Sequence, residues 1–138
     1  MKDKYIFIPA DLNIPCTFID VDADDGSDPE INRFNEHIYK LISADCYEPV
    51  YIFSDLIMLV DECGKFTGKP INIRASQFYP GTQYGDPIVG DVVICSTKSV
   101  VTLMPDGECI RECDFGPLGP VYSALLADRL GIIIPTPA

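Results

Sequence analysis

The stretch Cys46-Tyr-Glu-Pro-Val-Tyr-Ile-Phe-Ser-Asp-Leu-Ile-Met-Leu-Val-Asp-Glu-Cys-Gly64 decides the fold. Two runs rich in β-branched, aromatic and aliphatic residues flank the short polar break Ser54-Asp55, and 61–64 supplies a second turn. Apolar runs of this length bounded by turn residues read as adjacent strands, here a hairpin. Toward the N-terminus, Ile31, Phe34, Ile38, Leu41 and Ile42 follow the three-and-four spacing of one helical face. Ser27 and Glu30 have capping-box spacing, with Pro29 suited to a first turn, so the helix is predicted to begin at Ser27. Residues 5–10 and 16–21 read as two short strands before it.

Toward the C-terminus, 88–95 and 100–104 read as two further strands, and the Pro105-Asp106-Gly107 turn leads into a hairpin partner over 108–112. A second helix is predicted over 121–130, with Val121, Leu125, Leu126 and Leu130 on its inner face and Gly131 at its C-terminal cap. The tail Ile132-Ile133-Ile134 reads as a strand added to this sheet or to a neighbouring subunit, so a homo-oligomer is expected. Between the hairpins, 65–87 carries Gly68, Pro70, Pro80, Gly81, Gly85 and Pro87. That punctuation predicts an ordered loop with at most a short turn of helix, packed down by its aromatics. The element order predicts an α+β fold: a single compact domain over 1–138, with a mostly antiparallel sheet and two helices.

Composition narrows the function classes. The 138 residues hold 21 Asp plus Glu against 10 Lys plus Arg, a formal net charge of -11. Such a chain is a poor match for duplex nucleic acid or an anionic membrane, since both are bound by Lys and Arg displacing counterions. Its short apolar runs resemble neither a signal peptide nor a membrane span, and a cytoplasmic protein is expected. Six cysteines without a secretory leader read as mostly buried reduced thiols, Cys46 and Cys95 among them. Cys109 and Cys113 form a close pair with no second pair to complete a zinc site, and the only histidine, His37, is distant in sequence. Asp20, Asp22 and Asp24 imitate the start of a calcium loop, but Asp25 stands where its turn glycine belongs and Ile31 where its bidentate Glu belongs. No metal and no cofactor is expected.

The segment Gly64-Lys-Phe-Thr-Gly-Lys-Pro70 looks like a phosphate loop, yet it is one residue short and has Pro70 in place of the metal-binding hydroxyl. The same loop still gathers Lys65, Lys69 and Arg74 beside Tyr79, Tyr84 and several glycines. Cations for phosphate, glycine amides for close approach and rings for stacking are the ingredients of an anion or nucleotide pocket. A loop whose aromatics complete the core explains the same composition. No motif singles out a nucleophile or an acid and base pair.

The features LISADCYEPVYIF, LIMLVDECGKFTGKP, INIRA and GDPIVGDVVIC, over about 41–95, resemble a small family of phage and mobile-element proteins described only as a domain of unknown function. By that resemblance Asp61, Glu62, Gly64, Pro70, Asn72, Arg74, Gly90 and Asp91 occupy shared positions. It implies phage or mobile-element ancestry, hence the cytoplasm of a host bacterium, and no reaction. By analogy with accessory phage proteins, the expected function is non-enzymatic capture of a small anionic ligand, such as a nucleotide-derived immune signal. Lys65, Lys69, Asn72, Arg74, Tyr79 and Tyr84 would line the site. Two alternatives stay open: an acidic interaction module or DNA mimic carried by Asp20, Asp22, Asp24, Asp25 and Asp28, and a hydrolase acting on a similar ligand.

Overall fold

The computed structural model describes residues 4–24 and 26–133, and their side chains except for 98–102 and 110–113. Asp25, the Cys113 side chain and the expected tail strand from Ile134 onward lie outside the described residues. The decisive hairpin forms as expected: β3 (Tyr47–Phe53) pairs antiparallel with β4 (Leu56–Asp61) in a register from Tyr47 opposite Asp61 to Phe53 opposite Leu56. Ser54 takes the left-handed conformation that the tight turn requires, at φ 46°. All of β4 is buried, with Leu56, Met58 and Val60 packed on one face and Ile57 and Leu59 on the other. An uninterrupted apolar run, rather than an alternating one, is the pattern of a strand covered on both sides.

Next to β4 lies β5 (Val92–Leu103), which pairs on its other side first with β1 (Tyr5–Ile8) and then with β6 (Cys109–Gly116). β2 (Thr17–Ile19) closes the far edge, giving the antiparallel order β2-β1-β5-β4-β3 with β6 on β5. The α+β architecture is therefore the one expected. Two boundaries differ: the two strands predicted over 88–95 and 100–104 are one twelve-residue strand beginning after Gly90, and its hairpin partner, expected over 108–112, runs on to Gly116. The polar run Ser96 to Ser99 looked like a break, but the β6 ladder satisfies its backbone through Ser96–Gly116 to Ser99–Cys113 pairing.

α1 (Arg33–Ile42) covers one face, burying Phe34, Ile38 and Ile42 against Tyr5, Ile57, Leu59, Val93 and Cys95. It begins later than predicted. Asn32 is the N-cap, its side chain accepting from the Asn35 N–H at 3.0 Å, while the Asp28 carboxylate turns back to accept from Glu30 N–H at 2.9 Å. That local Asx turn competes with helix over 27–30 and leaves Ile31 exposed. The opposite face packs Ile6, Ile8, Met58, Val60, Val92 and Ile94 under α2 (Ile73–Ser76), the Phe78 and Tyr79 rings and α3 (Pro120–Leu130), while a 3-10 turn (Pro80–Tyr84) follows those rings with no buried residue.

The inner face of α3 also differs from expectation. Leu126 is buried and Leu130 partly so, but Val121 and Leu125 are 70% and 63% exposed, and Ser123 and Ala127 point inward instead. Small residues occupy the inward side of this helix, a choice that hydrophobicity alone does not reveal. In the loop, Phe78 and Tyr79 pack on the core as expected, whereas Phe66, Ile71, Ile73 and Tyr84 stay exposed. Among the described residues no helix is long and apolar enough to cross a membrane.

The cysteines divide by burial. Cys16 and Cys95 are buried, while Cys46, Cys63 and Cys109 are exposed, so Cys46 is not the core thiol its apolar neighbours suggested. It precedes β3 at the open end of the hairpin, where the sheet no longer covers it. Burial pushes the Cys95 thiol up to about 12. A neutral thiol shut inside the core is inert toward electrophiles. Alkylation of the native protein should label Cys46, Cys63 and Cys109 first, and Cys16 and Cys95 only at the rate of unfolding. Peptide mass spectrometry over a labelling time course checks this, and early labelling of Cys95 would contradict the packing.

Candidate functional site

Three residues expected to meet a ligand instead hold the chain together. Asn72 is fully buried; its Nδ2 donates to the carbonyls of Ile8 and Gly90, both at 2.9 Å, and its Oδ1 accepts from Ala75 N–H at 3.0 Å as the N-cap of α2. Arg74 Nη2 donates to the carbonyls of Pro9, Asp11 and Ile14 at 2.8, 2.9 and 2.7 Å, fastening the connector between β1 and β2. Its Nε is buried without a hydrogen-bond partner among the described residues. Lys69 Nζ donates to the Ile42 and Ser43 carbonyls at 2.9 and 2.7 Å and pairs with Asp61 at 2.7 Å. A cation there satisfies the carbonyls left over at the C-terminus of α1 and complements its dipole.

Neighbours from the family resemblance join the same work. Asp91 Oδ1 accepts from Ala10 N–H at 2.8 Å. Gly90 sits at φ 75°, and a Cβ there would stand 2.9 Å from Lys69 Cδ, so glycine lets the lysine stem pass over the backbone. Asp61, Lys69, Asn72, Arg74, Gly90 and Asp91 thus lock the loop onto the end of β1 and the end of α1.

Lys65 and Tyr79 do meet, but over a carboxylate: the Lys65 ammonium pairs with Asp86, and the Tyr79 hydroxyl donates to the other Asp86 oxygen at 3.2 Å. The cleft beside them holds about 100 Å³ and is lined by Glu48, Asp61, Glu62 and Asp86 as well as Lys65. It is smaller and more acidic than a nucleotide phosphate needs. Tyr84 stands apart, 83% exposed.

A larger recess opens at the N-terminal end of α1, where that helix meets β1, β3 and β6. It encloses about 510 Å³ and is walled by Tyr5, Phe34, Tyr47 and Phe115 with Asp24, Asn32, Asn35 and Asp114 around them. The rings form one cluster: Tyr5 and Phe34 centroids lie 6.0 Å apart, Phe34 and Phe115 6.3 Å apart, and Tyr47 meets Phe115 edge to face at 6.0 Å. The Tyr47 hydroxyl donates to Asn35 Oδ1 at 2.5 Å, and burial, followed by the nearby Tyr39, pushes its ionisation up to about 12. Because that value lies above the ordinary one near 10, the hydroxyl keeps its proton at neutral pH. Its contribution to stability is intact below about pH 10 and is lost as pH climbs through about 12. With both Asn oxygens engaged, the carboxamide nitrogens remain as donors and the two aspartates as acceptors. Sequence reading missed this recess because its rings come from four separate elements.

The acidic run borders the same end of the molecule. Lys4 pairs with Asp20 at 3.5 Å, and the Asp22 N–H donates to His37 Nδ1 at 2.9 Å, so His37 pins the run to α1. No group of three or more metal-ligating side chains converges among the described residues.

Neither a curated protein nor a solved structure matches the chain. Residues 17–109, two thirds of its length, match the family model described as a domain of unknown function, DUF3846. That segment contains the locked loop and the α1 and β3 walls of the recess, while Tyr5, Asp114 and Phe115 fall outside it. By this match the chain belongs to the DUF3846 family.

Proposed function

We propose that the protein is a non-enzymatic binding protein that takes a flat, nitrogen-bearing ring, such as a nucleobase or a nucleoside-derived signal, in the aromatic recess. The observation that carries this reading is the coincidence in one cavity of four aromatic rings with two carboxylates and two carboxamides. Rings stack on bases regardless of sequence, and carboxylates accept from ring and exocyclic N–H groups. The site differs from the phosphate pocket expected around Lys65, Lys69 and Arg74: Asp24 and Asp114 disfavour an anion, so the ring rather than its phosphates is recognised. The family resemblance supports a phage or mobile-element origin, and with it sequestration of such a signal in the host cytoplasm.

Calorimetric titration with nucleosides and their nucleotides tests this. A nucleoside should bind more tightly than its phosphorylated form, and Phe115→Ala, which removes a stacking face worth about 1–3 kcal/mol, should weaken it about 5- to 150-fold. No heat from any nucleoside, or an unchanged affinity in the variant, would sink the reading. A second reading, an acidic interaction module, draws on Asp20, Asp22, Asp24 and Asp28, which are all exposed along the run that Lys4 and His37 hold in place. A partner held that way should be lost steeply between low and moderate ionic strength, as the Debye length shrinks, whereas the recess ligand should not.

A further inference from the structure

An unpaired strand edge is a template for another strand, and folds blunt such edges with brevity, proline, bulges or charge. This sheet does so at three of its edges. β2 has three residues. β3 carries Glu48 and Pro49 and a register irregularity between Tyr51 and Phe53. The outer side of β6 is the run Cys109-Ile-Arg-Glu-Cys-Asp-Phe-Gly116, with three charged residues interspersed.

The exception is the outer half of β5. Beyond Thr97, whose N–H donates to the Asp55 carbonyl at 2.8 Å, β4 has ended, and among the described residues no strand pairs with that side of Lys98-Ser-Val-Val-Thr-Leu103. These six residues contain no proline, no glycine and no acid in a chain of net charge -11. Thr97 N–H faces the β4 side and Met104 N–H faces β6, where it donates to Glu108. Strand alternation therefore turns the N–H and C=O groups of Ser99, Val101 and Leu103 outward.

We propose that this edge pairs antiparallel with the same edge of a second copy, on a two-fold axis at Val101. Three features select a copy rather than a foreign strand. Antiparallel pairing is self-complementary, so one register serves both chains. In the Val101-centred register Ser99 lies opposite Leu103, Val100 opposite Thr102 and Lys98 opposite Met104, so no like charges face each other and about six ladder hydrogen bonds form. The acid-free edge is also where two strongly acidic chains approach with least repulsion, while a cationic segment would be drawn to the acidic run instead. Leu103, 72% exposed at the end of this edge, gains cover from the pairing.

Native mass spectrometry and sedimentation test the assignment. The wild-type chain should run at twice its 15.2 kDa mass. Val101→Pro removes an outward N–H and no β5–β6 bond, so it should give a folded monomer. Val101→Glu should do the same, and mixing it with Val101→Lys should restore dimers through opposite charges at the axis. A wild-type monomer at high micromolar concentration, or a dimer indifferent to all three variants, overturns the proposal. If the variants misfold, hydrogen exchange of the wild type decides: Ser99, Val101 and Leu103 amides should be protected and should lose that protection on dilution, and immediate exchange at every concentration counts against the interface.

Discussion

Asn72→Ala is expected to be among the most damaging single substitutions in this chain. The side chain is fully buried, and truncation strands the Ile8 and Gly90 carbonyls together with the Ala75 N–H. Leaving buried polar groups unmatched costs about 1–3 kcal/mol apiece, and a lost N-cap typically about 1 kcal/mol, so a loss of roughly 3–5 kcal/mol follows. At this chain length that corresponds to a fall in Tm of roughly 10–15 °C. Asn72→Asp should be worse than alanine. It keeps the cap but turns a carboxylate oxygen onto two carbonyl oxygens, replacing two attractions with two repulsions in a fully buried site. Thermal unfolding by circular dichroism gives the ranking wild type, then alanine, then aspartate. A ligand-contact role for Asn72 predicts the opposite outcome, near-native Tm with lost binding, so one melting curve separates the two roles.

How much of this was legible in the sequence depends on the distance over which each cause acts. The β3–β4 hairpin and the buried face of α1 depend on local spacing: a run apolar on both faces in 56–60, and Phe34, Ile38 and Ile42 four residues apart. Those came through. The inner face of α3 did not, because Ser123 and Ala127 face the core for their small size. The start of α1 was displaced because Asp28 has a competing local partner in Glu30.

The loop of the expected site is engaged by the fold for an instructive reason. Lysine, arginine, glycine and tyrosine in one loop have the composition of an anion pocket, but peptide carbonyls are acceptors too, and the ones used here belong to Ile8, Pro9, Asp11, Ile14, Ile42, Ser43 and Gly90. Only the folded chain brings those carbonyls to the loop. The aromatic recess is hidden by the same distance: Tyr5 and Phe115 line one cavity from opposite ends of the sequence. The loop residues therefore report on how the fold is tied, and the recess is built where several elements meet.

Lys69→Met should rival Asn72→Ala in cost, and a cycle with Asp61 separates its two contributions. The ammonium is the partner of a carboxylate only 9% exposed, whose other oxygen accepts from Cys63 N–H at 2.9 Å, and it also donates to two carbonyls at the end of α1. Removing one partner of a buried ion pair leaves an uncompensated charge and costs about 3–5 kcal/mol. Methionine preserves the stem that crosses Gly90, so lost packing contributes little. Asp61→Asn added to Lys69→Met removes the stranded charge and keeps the acceptor for Cys63, and the double variant should recover part of the loss. The remainder belongs to the Ile42 and Ser43 carbonyls, since neutralising Asp61 does nothing for them. Full recovery would assign the whole effect to the ion pair and none to the capping of α1; no recovery would assign it to the cap alone. Urea unfolding of the four proteins at one pH supplies the cycle. A Lys69→Met chain as stable as wild type would mean that the ammonium is free to meet a ligand after all.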